Sequence, residues 1–306
     1  MSLQTSLIYT KGGYQSYDSA KLGLLTHALH YGTACFEGIR GFWNEALQEL
    51  FLLDLQAHYD RLQASARILF MSMPETTAEL IEITRELVRR NAFRTNIYLR
   101  PIIFKSSEEI GVRLHDLEEQ FALIAVPFGR YVQAENGLRV CTSAWRRIDD
   151  TAMPARAKVT GAYVNSALAK SEAVLSGFDE AIMLSADGHV SEGSAENLFL
   201  VRHGVLHTPD CSQNILEGVT RRTVIELARV AGLGVVERAI DRTELFVADE
   251  IFLTGTAIGI EPVVSVDHRK VGSGEAPVTR RLLSRYDDVV HGRDPAFRSR
   301  LTGVYH

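Results

Sequence analysis

Cysteine is scarce in this chain, and what there is cannot staple it. Cys35, Cys141 and Cys211 are odd in number and far apart, which argues against a disulfide framework and leaves no metal-ligand spacing among them. Lysine and arginine form no block, and the formal net charge is −5, so the basic footprint needed by a nucleic acid or an anionic membrane is missing. Arg280, Arg281, Arg285, Arg293, Arg298 and Arg300 are interleaved with Asp287, Asp288 and Asp294, as on a solvated face. The most apolar late segment, IFLTGTAIGIEPVVSV, is broken by glycines and Glu261 and is too polar to span a bilayer. The first residues, MSLQTSLIYTKGG, lack a charged stretch followed by an apolar one, so no signal peptide is expected and the cytoplasm is the default location. There is no GxxxxGK[ST] loop. GLGVVE (232–237) lacks the third glycine of a dinucleotide fingerprint and lies between a helix and a strand, the reverse of the required order.

What remains is an ordinary globular composition, 46% hydrophobic over 306 residues, long for one core and comfortable for two. Helical spacing of Leu55, Leu62, Ala66 and Leu69 predicts a helix over 54–69 with Asp54 as N-cap, and Leu80, Ile83, Leu87 and Val88 predict a second over 76–91. NIYLRPIIF and QFALIAVPF read as strands. PFGRYVQAENG (127–137) reads as a connection between domains. Beyond it, LRVCTSAW reads as a strand and AYVNSALAKSEAVLSG as a helix closed by Gly177. Residues 179–209 read as a meander with turns at Asp187-Gly188 and His203-Gly204. A helix from Gly218, strands VVERAI, EIFLTGT and PVVSV, and a helix near 278–290 follow. The expected division is a small domain over 1–127, a loop over 128–138 and a large domain over 139–306.

Several residues have both a bland and a chemical reading. His27 and His30 have no carboxylate or cysteine pair beside them, so structural or pocket-lining roles outweigh a metal. Lys170 lies mid-helix beside Ser171 and Glu172, a solvated position, whereas Lys158 precedes a turn at Gly161 and lies off the helix body. SEGSAEN places Glu192 and Glu196 in a stretch that composition alone would leave as an exposed loop. LEGVTRR opens a helix whose free N–H groups and Thr220 hydroxyl form a phosphate cradle, or else an ordinary start with Thr220 as cap. LTGTA ends a strand in a hydroxyl-rich turn suited to a second anion, or is simply a turn. A lysine, an acid and a phosphate-binding helix start are the parts that hold pyridoxal phosphate: the lysine forms the Schiff base, and the acid keeps the ring nitrogen protonated.

In this order, HALHYGTACFEGIRGF (27–42), YLRPIIF (98–104), AKVTGAYVNSALAKSEA (157–173), DGHVSEGSAENLFLV (187–201), LEGVTRR (216–222) and ADEIFLTGTAIGIEPV (248–263) resemble the fold-type IV pyridoxal-phosphate enzymes, and most closely the branched-chain amino acid aminotransferases. The resemblance implies a mixed α/β (α+β) fold, with a small sheet-and-helix domain and a larger, β-rich, barrel-like one. It implies that Lys158 carries the cofactor, that Tyr163 bonds the ring oxygen, and that Glu192 pairs with the pyridinium nitrogen, with Glu196 as the motif's second acid. Arg61 would clasp the phosphate with Leu216, Val219, Thr220, Gly255 and Thr256. Phe36, Gly38, Tyr98, Phe128 and Tyr131 would line an apolar pocket, Arg100 would meet the distal carboxylate of glutamate or 2-oxoglutarate, and Thr256 and Ala257 the α-carboxylate. Tyr31, Val112 and the adjacent Arg113 would approach the substrate, the first two from the second subunit of a homodimer. Departures from the usual pattern fall at Phe128, Arg130 and Arg113.

The implied activity is transfer of the amino group of L-leucine, L-isoleucine or L-valine to 2-oxoglutarate. An (R)-selective amine or D-amino acid transaminase, or an aminodeoxychorismate lyase, is the rival on the same scaffold. A non-catalytic cofactor-binding protein is the rival of another class.

Overall fold

In the computed structural model, residues 6–129 and 137–306 are described, and Arg130 and Tyr131 lie outside them. Two compact units emerge: one of residues 1–129, 157–161 and 288–306, the other of 130–156 and 162–287. The division expected at 127 and 139 was continuous in sequence. These units are not, because the short segment bearing Lys158 and the C-terminal stretch 288–306 make their contacts with the first unit.

The first unit contains β1 (Leu7–Thr10), β2 (Gly13–Ser16), α1 (His27–Tyr31), β3 (Ala34–Phe36), β4 (Ile39–Asn44), β5 (Glu49–Leu53), α2 (Leu55–Ile68), α3 (Thr77–Arg90), β6 (Ile97–Lys105) and β7 (Glu119–Pro127). Its eight-stranded sheet runs from the strand Leu301–Gly303 through β5, β4, β6, β7 and β1 to β2, with β3 paired to β6 off this path. The long hairpin β6–β7 alternates buried and less buried residues, the period-2 pattern that made it readable. On α3, Leu80, Leu87 and Val88 are buried while Ile83 is only half-buried, and Thr76 and Glu79 close a capping box. Asp54 occupies the N-cap position of α2 but does not cap it: its backbone is left-handed (φ 51°), and its carboxylate takes Arg300 Nε at 2.8 Å instead.

The second unit contains β8 (Leu138–Thr142), α4 (Tyr163–Leu175), β9 (Glu180–Leu184), β10 (Val190–Gly193), β11 (Asn197–Arg202), β12 (Val205–Thr208), α5 (Val219–Val230), β13 (Val235–Glu237), β14 (Glu250–Gly255), β15 (Gly259–Val266), β16 (Arg269–Lys270) and α6 (Pro277–Val290). Its nine-stranded sheet, a curled half-barrel, has the order β10-β9-β8-β15-β14-β11-β12-β13, with β16 on β15. The expected meander is therefore two hairpins, β9–β10 and β11–β12, with three strands inserted between them. Leu138, Val140, Ile182, Leu184, Leu198, Leu200, Ile251 and Leu253, alternate residues on neighbouring strands, form one buried core. On the opposite face Phe199 and Phe252 stack at 5.0 Å, and Ala169 and Ala173 of α4 lie against Ala181 and Met183, small residues allowing close approach. VVERAI contributes only Val235–Glu237 as strand. Among the described residues no helix is long and apolar enough to cross a membrane.

Candidate active site

In the first unit, three turns of α2 organise one set of groups. His58, Arg61 and Ser65 fall on one face of that helix. Arg61 and His58 both reach Glu37, in the link between β3 and β4: Arg61 Nε donates to Oε1 at 2.6 Å, Arg61 Nη2 to Oε2 at 2.8 Å, and His58 Nδ1 lies 2.7 Å from Oε2. Ser65 Oγ accepts the Lys158 backbone N–H at 3.2 Å, and Lys158 C=O accepts the Phe36 N–H at 3.1 Å. The lysine backbone is thus tied on both sides, and its Nζ lies 5.2 Å from the centre of the Phe36 ring.

The Phe36 ring leads to a second cluster in the same unit. Arg100 lies over it at 4.5 Å and donates from Nη2 to Tyr98 OH at 2.8 Å, while Tyr98 packs against Phe128 with ring centres 5.1 Å apart. Arg40, which no motif reading singled out, lies over the Phe128 ring at 5.2 Å. Gly38 is needed here because a side chain would run into the Tyr98 hydroxyl. Arg100 Nε is buried without a hydrogen-bond partner among the described residues. A buried, unsatisfied donor in an aromatic setting is costly, so it is informative.

Nearby, Tyr31 OH accepts the Gly111 N–H at 3.2 Å, and the buried His27 bonds Thr33 Oγ1 and the Gly111 carbonyl, which makes it a structural histidine. Val112 is 79% exposed. Arg113 pairs with Glu109 at 3.0 Å and donates to the His115 carbonyl.

In the second unit, Glu192 closes β10 with its carboxylate buried among donors. Arg147 Nε lies 3.1 Å from Oε1, and Asn197 Nδ2 and Leu216 N–H each donate to Oε2 at 3.0 Å. Asn197 also donates to the Leu216 carbonyl at 2.9 Å, and its Oδ1 crowds Gly218, where any Cβ would collide with it. Gly218 is the N-cap of α5, and no side chain caps that helix. Thr220, read as a possible cap, sits inside the first turn, because the extended backbone at Gly218 starts the helix two residues earlier. Val219 and Thr220 therefore present first-turn N–H groups without a side-chain acceptor, the arrangement that favours an anion. Gly255, Thr256 and Ala257 lie at the β14–β15 hairpin, where Gly255 pairs with Gly259, and Tyr163 is the first residue of α4.

Like Glu192, which is buried rather than exposed on a loop, Lys170 and Glu196 differ from the bland reading of their stretches. Lys170 is not a solvated lysine: its Nζ donates to Glu180 Oε2 at 2.6 Å and to the Asp179 carbonyl at 2.7 Å, because β9 begins directly beneath α4. Glu196 is buried under the SEG turn, with Oε2 taking the Ala195 N–H at 3.0 Å. Burial, and then the charge of Glu180, push its carboxyl up to about 8 from an ordinary 4.5. Folding thus favours the protonated acid. The stability it contributes is complete below the ordinary value and is lost as pH rises through about 8. The melting temperature of the wild type is expected to fall more steeply between about pH 4.5 and about pH 8 than that of Glu196→Gln, which stays neutral throughout. Parallel slopes in a thermal melt series would refute the buried acid.

Each unit by itself holds groups of the kind pyridoxal phosphate needs: the first a lysine held by its backbone, the second a buried acid among donors and an uncapped helix start. Arg147, Asn197, Glu37 and His58 were not found by motif. The helical spacing of His58, Arg61 and Ser65 is a signal for His58 alone; the other three meet their partners only through the fold.

The class IV amino-transferase family matches residues 34–266. A relative from Aquifex aeolicus named "Probable branched-chain-amino-acid aminotransferase" is 44% identical over 99% of this chain and 98% of its own. Among solved structures, the branched-chain aminotransferase of the archaeon Thermoproteus uzoniensis with norvaline superposes at a TM-score of 0.94, with 40% identity over 98% of this chain and 99% of that one. The T.th. branched-chain amino acid aminotransferase complexed with N-(5'-phosphopyridoxyl)-L-glutamate gives 0.93, with 40% identity over 98% of both chains. With the match spanning most of its length and the fold shared throughout, this chain belongs to the class IV aminotransferases.

Proposed function

We propose that the enzyme moves the amino group of L-leucine, L-isoleucine or L-valine to 2-oxoglutarate, and that one pocket of Phe36, Gly38, Tyr98, Arg100 and Phe128 takes the side chains of both partners in turn. The chain is a pyridoxal-phosphate-dependent transaminase. The observation that carries the pocket assignment is Arg100: its guanidinium is stacked among aromatic rings, yet its Nε has no partner among the described residues. An aliphatic chain meets the ring faces; a distal carboxylate meets the spare N–H. The relatives support this dual use, since one is seen with norvaline and another with a glutamate adduct.

When bound, the cofactor withdraws charge from the substrate Cα and carries the amino group from donor to acceptor. Lys158 Nζ would accept the proton from the substrate Cα and deliver it to the cofactor C4′, and would run the same transfer backwards in the second half-reaction. Glu192, held as an acceptor by Arg147, Asn197 and Leu216, keeps a proton at the ring nitrogen, with Glu196 beneath it as the second acid of the motif. Tyr163 donates to the ring oxygen. Arg61 would hold the phosphate, as would Leu216, Val219, Thr220, Gly255 and Thr256, and Thr256 and Ala257 would orient the α-carboxylate. Because donor and acceptor occupy the same site in sequence, the kinetics are ping-pong.

Tyr31 and Val112 act on the site of a second subunit. The support is an apolar surface of Leu24, Leu29, Ile110 and Val112, all strongly exposed, on two segments joined by the Tyr31–Gly111 hydrogen bond. The cytoplasm remains the proposed location.

A donor panel of L-leucine, L-valine, D-alanine and (R)-1-phenylethylamine against 2-oxoglutarate tests the reading, with the L-amino acids expected to dominate. Arg100→Met is expected to raise the KM for 2-oxoglutarate about 10- to 100-fold, the worth of a charge-assisted hydrogen bond, with the KM for leucine nearly unchanged. An equal rise for leucine would remove Arg100 from its role.

A further inference from the structure

We propose that Glu37 is the positioning residue for Arg61: a buried carboxylate, steadied by His58, sets the guanidinium before any phosphate arrives. The proposal rests on the reading of Arg61 as a phosphate ligand.

Glu37 is wholly buried and sits in the short link between β3 and β4, its backbone N–H bonded to the Pro101 carbonyl at 2.9 Å. A carboxylate in such a place is strongly disfavoured unless its oxygens are matched by donors. Here they are. Arg61 presents its Nε–Nη2 edge to both oxygens, and His58 adds a third contact to Oε2. Burial alone would raise the proton affinity of Glu37, but the Arg61 charge and the hydrogen bonds from His58 and Arg61 hold the carboxyl far below the usual range. Glu37 is therefore held as a carboxylate paired with Arg61.

Two effects of Glu37 on anion binding oppose each other. Its negative charge offsets part of the arginine's attraction for phosphate. Against that, arginine carries much rotamer freedom, and a planar fork clamped along one edge has only one direction left in which to present itself. The clamp is double, because the same helix that carries His58 and Arg61 also fixes the Lys158 backbone through Ser65. A guanidinium that swings would lose its setting relative to that lysine segment. Preorganisation is the larger effect, so removal of the Glu37 charge weakens phosphate binding although it leaves Arg61 more positive.

The test compares two probes on apoenzyme by absorbance or fluorescence titration: pyridoxal 5′-phosphate, and pyridoxal, which lacks the phosphate. Glu37→Gln is expected to weaken pyridoxal 5′-phosphate about tenfold and pyridoxal hardly at all. In an Arg61→Ala background the same substitution is expected to add nothing, since there is no guanidinium left to place. Equal weakening of both probes, no weakening, or an undiminished effect without Arg61 would each overturn the proposal. If Glu37→Gln does not fold, Glu37→Asp keeps the charge but retracts the carboxylate by one methylene, and is expected to give the same selective loss. An unchanged ratio of the two affinities in that variant overturns the proposal as well. Failure of the underlying reading looks different: Arg61→Ala by itself would leave the ratio of the two affinities unchanged.

Discussion

Lys158→Ala is expected to take up pyridoxal phosphate yet to transaminate more slowly by a factor of about 10⁴, the upper range for loss of a positioned proton carrier. Borohydride should no longer fix cofactor to the chain, and a small added amine such as methylamine should restore a fraction of the rate. The backbone of this residue is held by Ser65 and Phe36 independently of its side chain, so truncation leaves the segment in place and the loss reports on the amine. A variant with near-normal turnover in a single-turnover measurement with L-leucine would remove Lys158 from the mechanism.

The second large effect is expected at Glu192. A glutamine there is nearly isosteric, but Arg147, Asn197 and the Leu216 N–H all donate to this position. One orientation of the amide sets its NH₂ against Asn197 Nδ2 and the Leu216 N–H, and the other sets it against Arg147. Either way a buried donor faces a donor. The amide is also too weak a base to hold a proton on the ring nitrogen. Glu192→Gln is therefore expected to lower kcat by at least about 10²-fold for every amino donor alike, with cofactor still bound. A defect confined to one donor would speak for a substrate contact instead, and a wild-type rate would dismiss the residue. Arg147→Met should fall between the wild type and Glu192→Gln, since it removes one donor and leaves Asn197 and the Leu216 N–H in place.

Much of this molecule can be read from its residues, for reasons that differ by element. α3 and the β6–β7 hairpin show clean periods because each has one buried and one open face. β3 and β5 are buried along their whole length, so they carry no alternation, and at three and five residues they are too short to announce themselves otherwise. Lys158 and Glu192 stand in motifs whose order along the chain identifies them. Glu37 and Arg61 are separated by a strand pair and half of a helix, and no local signal joins them until β3, β4 and α2 are folded. Arg147 meets Glu192 in the same way, from an irregular stretch after β8. Asp54 shows the converse: its position before a helix suggested a cap, but a left-handed backbone gave its carboxylate to Arg300.

The single amide of Asn197 has a consequence for how this protein can change. It spans from the Glu192 carboxylate to the Leu216 carbonyl and occupies the space where a side chain at 218 would begin. While asparagine stands at 197, any side chain at 218 forces that amide to move off the Glu192 carboxylate or the Leu216 carbonyl. A shorter residue at 197 would open 218 but release the acid from the helix start. The two positions are thus heritable only as a pair, and a single-site library should find both intolerant while a combinatorial one finds the few joint solutions.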